Sequence, residues 1–414
     1  MEVNMEMKER KVLKSLQKFM LLKEILVIRG ARQVGKTTLM KMLMKWLREK
    51  GVPDDRIIYF DLEDIDLLGL CNEGVDEVIS YVKSRTSGTG KIFLFIDEIQ
   101  YMDNPSSFLK LFYDHHSDEY KLIVSGSSSF EIRSKFKDSL VGRVIVFELY
   151  GLDFDEFLHF KGEKYNLKNI KSKLVHEELK RLFKEYLIYG GYPRVVLIEN
   201  IEQKETYLKQ VINTYLKKDI RDIGNIKNVQ KFNNLLHILS DQAGSLVNIN
   251  ELANTVGIAR ETVYDYLFIM ENTYIIKRIL PYHKNIRTEL TKMPKIYFED
   301  TGILNFLRYG TFIEKLDGVL LENGVFSLFR KNLPVEIIKF WRTTEKQEID
   351  FIIDMRNQPP IGYEVKLRYN GQPIRNLVYF KKKYPESSVN IVTLEKARHP
   401  KNRSINLLYP WEIF

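Results

Sequence analysis

One cysteine, Cys71, stands in 414 residues. An intramolecular disulfide and a cysteine zinc cluster are therefore excluded, and a reducing cytoplasm is the natural setting. Long apolar runs are also missing. The longest, such as Ile92–Ile96, reach only about five residues, against the roughly 20 that a membrane span requires. The amino terminus, MEVNMEMKERKVLKSLQKF, alternates charge with Leu, Val and Met. It lacks the apolar middle of a secretory signal and reads as an amphipathic helix. The seven histidines show no metal-ligand spacing, and no internal repeat or low-complexity segment interrupts the chain.

What is present is a globular balance, 44% hydrophobic and 29% charged, over a length that suits two or three domains. The net charge of +9 is unevenly spread. Residues 1–160 carry 23 basic against 26 acidic side chains, residues 161–330 carry 26 against 20, and residues 331–414 carry 15 against 9. The basic excess lies outside the first third, where a nucleic acid or another polyanion can meet it; an ordinary solubilising surface looks the same by charge alone.

The first 150 residues alternate short β-branched runs with helix-period stretches. Ile25–Arg29, Arg56–Asp61, Lys91–Ile96 and Tyr120–Ser125 read as buried strands, and Thr37–Lys50 reads as a helix stopped by Gly51-Val52-Pro53. This alternation predicts a parallel sheet covered by helices. Residues 152–220 turn helical, with a break at Gly190-Gly191-Tyr192-Pro193, and 228–271 are helical again.

Ile25–Arg29 runs into Gly30-Ala31-Arg32-Gln33-Val34-Gly35-Lys36-Thr37, with Thr38 following inside the helix. This is the phosphate-loop pattern G-x-x-x-x-G-K-[ST] in its required setting, a strand before it and a helix after it. The two glycines let the backbone N–H groups curl toward phosphate oxygens. Lys36 is suited to the β- and γ-phosphates, and the Thr37 hydroxyl to Mg²⁺. A strand ending in Asp97-Glu98 supplies the acids such a loop needs: Asp97 for the metal shell and Glu98 to orient or deprotonate the attacking water. No Asn-Lys-x-Asp sequence is present to read guanine, so ATP is expected over GTP. Ser125 and Ser127 place hydroxyls at the carboxyl edge of the sheet. Arg143 is a candidate for the γ-phosphate of its own or a neighbouring subunit. For these three residues a plain structural role fits the sequence equally well.

The motifs GARQVGKTT (30–38), IFLFIDEIQ (92–100), IVSGSSS (123–129), LVGRVIVFELYGLDFDEFL (140–158), YGGYPRVV (189–196) and KIYFEDTGIL (295–304) carry a resemblance that spans nearly the whole chain. The sequence resembles prokaryotic, mainly archaeal, AAA+-like ATPases with a C-terminal PD-(D/E)XK nuclease-like domain. Gly151 stands where that family more often has a proline. The resemblance implies ATP hydrolysis, with Lys36 and Thr37 binding nucleotide and Mg²⁺, Asp97 and Glu98 as the Walker B pair, and Ser125 or Ser127 at the sensor position.

Asn250–Leu267 reads as helix, tight turn, helix. Asn250 is the expected cap, Gly257 the turn, and Leu252, Ala253, Ile258, Val263 and Leu267 the inner face. Arg260, Glu261, Thr262, Tyr264 and Asp265 would then face outward, where a recognition helix meets bases, and Thr273–Leu280 would form the strand of a wing. Two acids on that face sit poorly beside phosphate, and such modules also serve as packing between domains.

In the tail, Asp350 and then Glu364-Val365-Lys366 lie in apolar strands at the spacing of the PD-(D/E)XK signature. Residues two apart share a strand face, so Glu364 and Lys366 point together. Asp350 and Glu364 are candidate metal ligands, Glu322 a third from a helix, and Lys366 a group to orient water. An inactive relic that only binds DNA or a protein would carry the same residues.

The expected architecture is an α/β P-loop parallel-sheet ATPase domain over 1–160, a helical lid over 161–225, a winged-helix segment over 226–295 and a restriction-endonuclease-like α/β domain over 296–414. DNA is the expected partner, with a protein partner as the alternative. No membrane association is expected, and self-association is left open.

Overall fold

The computed structural model describes residues 8–126, 140–214, 226, 228–283, 293–396, 400 and 404–414. These fall into two compact units. The first is built from the chain up to Tyr150 and takes in Asn272–Tyr274, and the second holds most of the remainder from Gly151 on. None of the described helices is long and apolar enough to cross a membrane.

The first unit is a parallel sheet of five strands: β1 (Ile25–Arg29), β2 (Ile57–Asp61), β3 (Ile92–Asp97), β4 (Tyr120–Gly126) and β5 (Val144–Glu148). Their order is β2-β3-β4-β1-β5, and each neighbouring pair runs parallel. β3 and β4 are central and almost wholly buried, so they read in the sequence as continuous apolar runs. β5 is an edge strand with most of its side chains half-exposed, although Val144–Phe147 is also an apolar run. In a parallel sheet all strands end on one side, which brings the residues after β1, β3 and β4 together. Lys121 is buried inside β4, and its ammonium donates to the carbonyls of Leu22 (2.8 Å) and Glu24 (2.6 Å) just ahead of β1.

The second unit holds two sheets. A hairpin pairs β6 (Ile276–Ile279) with β7 (Lys295–Phe298). The larger sheet contains β8 (Ile338–Arg342), β9 (Glu348–Ile353), β10 (Ile361–Tyr369), β11 (Ser388–Lys396) and β12 (Ile405–Leu408), in the order β12-β11-β10-β9-β8. β9 runs antiparallel to both β8 and β10, and β11 and β12 continue parallel to β10. The helix Gly318–Asn332 lies over β10, where the Phe329 ring meets Phe351 and Tyr363 at centroid separations of 5.5 and 5.0 Å.

Three of the sequence motifs meet at one junction in this unit. Asp300 is buried, caps the helix Thr301–Tyr309 by accepting from the Gly302 and Ile303 N–H groups, and also accepts from Gly191 N–H at 2.8 Å. Leu152 N–H donates to Gly191 O at 2.6 Å. The contacts leave no room for side chains. A Cβ on Gly190 would sit 2.0 Å from Asp300 Oδ1, and one on Gly302 would sit 2.3 Å from Tyr189 O. Lys331 completes the junction by donating to Leu152 O (3.0 Å) and to the Tyr186 hydroxyl (2.9 Å). The glycines of YGGYP and EDTGIL are thus explained by packing.

Candidate functional site

The loop between β1 and the helix Lys36–Glu49 holds Gly30, Ala31, Arg32, Gln33, Val34 and Gly35; Lys36, Thr37 and Thr38 form the first turn of that helix. Gln33 and Gly35 both adopt positive φ, 64° and 99°, which bends the backbone around the helix N-terminus. Gly30 is required for a different reason. A Cβ there would lie 2.1 Å from Leu149 O, because the strand end after β5 crosses directly behind the loop. Arg10 braces the loop from the amino terminus: its buried guanidinium donates to Val34 O at 3.0 Å and to Tyr150 O at 2.8 Å. Ala31 and Val34 are buried, Thr38 is exposed, and Arg32 interacts with the hydroxyl of Tyr101. The Lys36 ammonium is buried within the curl, donating to Gly30 O (3.3 Å) and Ala31 O (3.1 Å).

Asp97 is the hub of the site. It is 1% exposed at the end of β3, and both of its oxygens are used. Oδ2 accepts from the Thr37 hydroxyl at 2.6 Å and from the Tyr59 hydroxyl at 2.9 Å. Oδ1 accepts from the Ser125 hydroxyl at the end of β4 and from Glu98 N–H at 3.1 Å. Burial, and then the Asp97 charge, push the Tyr59 phenol far above its ordinary range, so it stays protonated and donates to Asp97. Glu98 follows with φ 56° and ψ 45°, a left-handed turn that takes its side chain out of the strand. Its carboxylate accepts from the Gln100 amide. Thr37 and Asp97 present hard oxygen donors side by side, a donor set that fits Mg²⁺. Ser127 lies outside the described residues.

Arg143 does not join this group. It precedes β5 at the opposite end of the sheet, roughly 16 Å away at strand rise. There it grips Asp114, with Nε 2.7 Å from Oδ1 and Nη2 3.2 Å from Oδ2. Action on its own nucleotide is thereby excluded by distance, which corrects one of the two expectations for it. At the loop's end of the sheet the residue of β5 is Glu148, whose carboxylate pairs with Arg29 at 3.1 Å.

Two helices lie where the helix–turn–helix was expected, with corrections. Ile249–Val256 and Arg260–Asn272 are helices separated by Gly257 at φ 69°. The cap is Asn248 rather than Asn250: its side chain accepts from Asn250 N–H (3.0 Å) and Glu251 N–H (3.4 Å). Arg260, Glu261, Tyr264 and Asp265 are exposed, whereas Thr262 is half-buried. The β6–β7 hairpin follows, and a groove of about 740 Å³ runs between it and the second helix, lined in part by Arg260, Tyr264, Lys277 and Arg278. Arg278 is held by Glu271, with Nε 2.9 Å from Oε2.

The tail residues form a buried ionic cluster. β9 carries one extra residue against β8, so that Ile349 and Ile352 both enter the hydrophobic core, three positions apart. This bulge re-aims Asp350, as bulges do beside functional sites. The β9–β10 pairing ends at Phe351 and Tyr363, and Asp350 Oδ2 accepts the next free N–H, that of Val365, at 2.8 Å. Lys366 lies 2.7 Å from Glu364 Oε1, while Glu364 Oε2 is buried without a hydrogen-bond partner. Glu322 accepts from the Tyr297 hydroxyl at 2.6 Å and faces Lys295 at 3.4 Å. Burial first, and then the Asp350 charge, raise the carboxyls of Glu322 and Glu364 above the ordinary range, and burial does the same for Asp350. Lys295 and Glu348, which pair at 2.7 Å, belong to the same cluster and were not expected there, although Lys295 opens the KIYFEDTGIL motif.

The expected metal set is not assembled. Among the described residues no three His, Cys, Asp or Glu side chains stand close enough together to hold a metal ion. Glu322, Asp350 and Glu364 are near one another, and each has one oxygen engaged: Glu322 Oε1 by Lys295, Asp350 Oδ2 by the Val365 N–H and Glu364 Oε1 by Lys366.

Comparison with known proteins accords with the first unit. Residues 22–158 match the AAA domain, residues 180–313 a domain of unknown function (DUF8612) and residues 317–414 a second domain of unknown function (DUF4143). The uncharacterized protein MJ1544 of Methanocaldococcus jannaschii is 30% identical over 341 residues, covering 81% of this chain and 73% of that one. An uncharacterized protein of Haemophilus influenzae is 25% identical, covering 87% of each. Among solved structures, the Aeropyrum pernix Orc1 protein in complex with DNA is similar at a TM-score of 0.30 and 13% identity, covering 69% of this chain and 87% of that one, too distant to bear on function. With its phosphate loop inside a matched AAA domain and MJ1544 aligned over most of its length, the chain belongs to the family of AAA-domain proteins that includes MJ1544.

Proposed function

We propose that the chain is a Mg²⁺-dependent, cytoplasmic ATP hydrolase whose nucleotide cycle governs binding of DNA by its second unit. The observation that carries this is the convergence of Thr37, Ser125 and Glu98 N–H on the single buried carboxylate of Asp97 beside the phosphate loop. In this reading the loop N–H groups and Lys36 bind the phosphates, and Thr37 with Asp97 holds Mg²⁺. When bound, the ion neutralises charge on the phosphates. Glu98 accepts the proton of the attacking water, and Gln100 fixes its carboxylate in place. Arg143, being out of reach of its own nucleotide, serves a neighbouring chain if chains associate.

We assign residues 161–225 to a lid, 226–295 to a winged helix and 296–414 to a nuclease-like fold. The groove beside Arg260–Asn272 supports DNA as partner, because it gathers Arg260, Lys277 and the ring of Tyr264. A second reading is favoured by one observation, the absence of an assembled metal set in the tail cluster among the described residues. In it the nuclease-like fold is inactive, and nucleotide state gates a protein partner.

The test is binding of labelled duplex DNA by the full chain with ATP and with ADP at two salt concentrations. The first reading predicts a nucleotide-dependent affinity that falls steeply with salt, since phosphate contacts release counterions. No binding in either nucleotide state overturns it and leaves the protein-partner reading.

A further inference from the structure

Lys295 opens β7 and is 2% exposed, yet its ammonium touches two acids. It lies 2.7 Å from Glu348 Oε1 and 3.4 Å from Glu322 Oε1, with the Phe340 ring 5.6 Å away. Its backbone is fixed on both sides, paired with Ile279 of β6 and bridged to Leu246. The side chain thus starts from a fixed stretch of backbone and is closed off from solvent.

We propose that the Lys295 ammonium is the resident cation of this cluster, standing between the helix acid Glu322 and the β9 acid Glu348, and that the second unit in consequence takes up neither Mg²⁺ nor Mn²⁺ at Glu322, Asp350 and Glu364. The inference takes up the second reading above and names what closes the site. Its physical basis is charge. Four buried or half-buried carboxylates, Glu322, Glu348, Asp350 and Glu364, face three cations, Lys295, Lys366 and Arg342, each within salt-bridge distance of one of the acids. A divalent ion brought into that set meets the fixed ammonium at close range, and like charges in a buried setting repel strongly. Removing the lysine charge leaves those four acids facing two cations, Lys366 and Arg342. Glu322 then loses the Lys295 charge beside it, Glu348 keeps Arg342, and the partnerless Glu364 Oε2 becomes a further donor for an incoming ion.

The experiment measures free Mn²⁺ by electron paramagnetic resonance as it is titrated into the full chain without nucleotide. The wild type and Glu364→Gln should give superimposable curves, because Glu364 holds no ion in either. Lys295→Met keeps the aliphatic stem and removes the charge. It should bind one further Mn²⁺, with affinity for that ion raised about tenfold or more, and Lys295→Met/Glu364→Gln should lose it. Wild-type uptake abolished by Glu364→Gln overturns the proposal, as does a folded Lys295→Met chain that binds no further ion. Should Lys295→Met fail to fold, the wild-type and Glu364→Gln curves decide alone. Either outcome leaves the ATP reading standing, since Thr37 and Asp97 are unaltered.

Discussion

The Thr37 hydroxyl lies 2.6 Å from Asp97 Oδ2, tying the first turn of the helix after the phosphate loop to the end of β3. Ser125 fastens the same carboxylate from the other side, through Oδ1. Asp97 therefore cannot turn unless a partner lets go. Ser125→Ala should lower kcat for ATP hydrolysis by about 10- to 100-fold while leaving ATP affinity nearly unchanged, because Ser125 orients the acid and touches no loop N–H. Steady-state kinetics separates the two; an equal loss in affinity would place Ser125 on the nucleotide instead.

Gly302→Ala should destabilise the second unit by about 3 kcal/mol, since its Cβ would sit 2.3 Å from the Tyr189 carbonyl in a buried junction with no room to relax. Urea unfolding of the full chain measures this. A substitution within error of the wild type would mean the junction is loose.

The phosphate loop and its acids were legible in the sequence because each is a contiguous string whose spacing states its chemistry. The partners that hold them were not. Arg10 is 24 residues from Val34 and 140 from Tyr150, and nothing local marks it. β5 was not read as a strand although Val144–Phe147 is apolar throughout; as an edge strand it is half-exposed rather than buried. Asp350 and Glu364 were legible as candidates, but the bulge in β9 and the buried Lys295 arise from tertiary pairing. Spacing alone could therefore suggest a metal site without revealing that a lysine fills it.

Arg143 sits at the far end of the sheet with Asp114, so Arg143→Ala should leave ATP affinity unchanged. If it acts across a subunit boundary, the variant hydrolyses slowly and regains activity when mixed with Glu98→Gln, because hybrid pairs contain one complete site. Phosphate release in mixtures shown to form hybrids is the measurement; no recovery would leave Arg143 a packing role.

A pH effect follows from the tail cluster. Burial, with Asp350, pushes the Glu364 carboxyl from 4.5 up to about 8 in the folded chain. The folded state then keeps a proton that the unfolded state has released, so stability from this group is full below about pH 4.5 and is lost as pH rises toward 8. Glu364→Gln cannot titrate. The stability of the wild type relative to that variant should therefore fall between pH 5 and pH 8, read from unfolding midpoints at each pH. A pH-independent difference would mean Glu364 is ionised throughout.

The central claim, hydrolysis of ATP at the Asp97 site, is tested most directly by phosphate release from Mg²⁺-ATP by the wild type, Lys36→Ala and Glu98→Gln, alongside equilibrium ATP binding. The account predicts turnover in the wild type and loss of tight binding in Lys36→Ala. Glu98→Gln should keep ATP but turn over about 100-fold or more slower, because only the group that takes the water's proton is removed. Undiminished turnover in Glu98→Gln, or hydrolysis that survives Lys36→Ala, would contradict it.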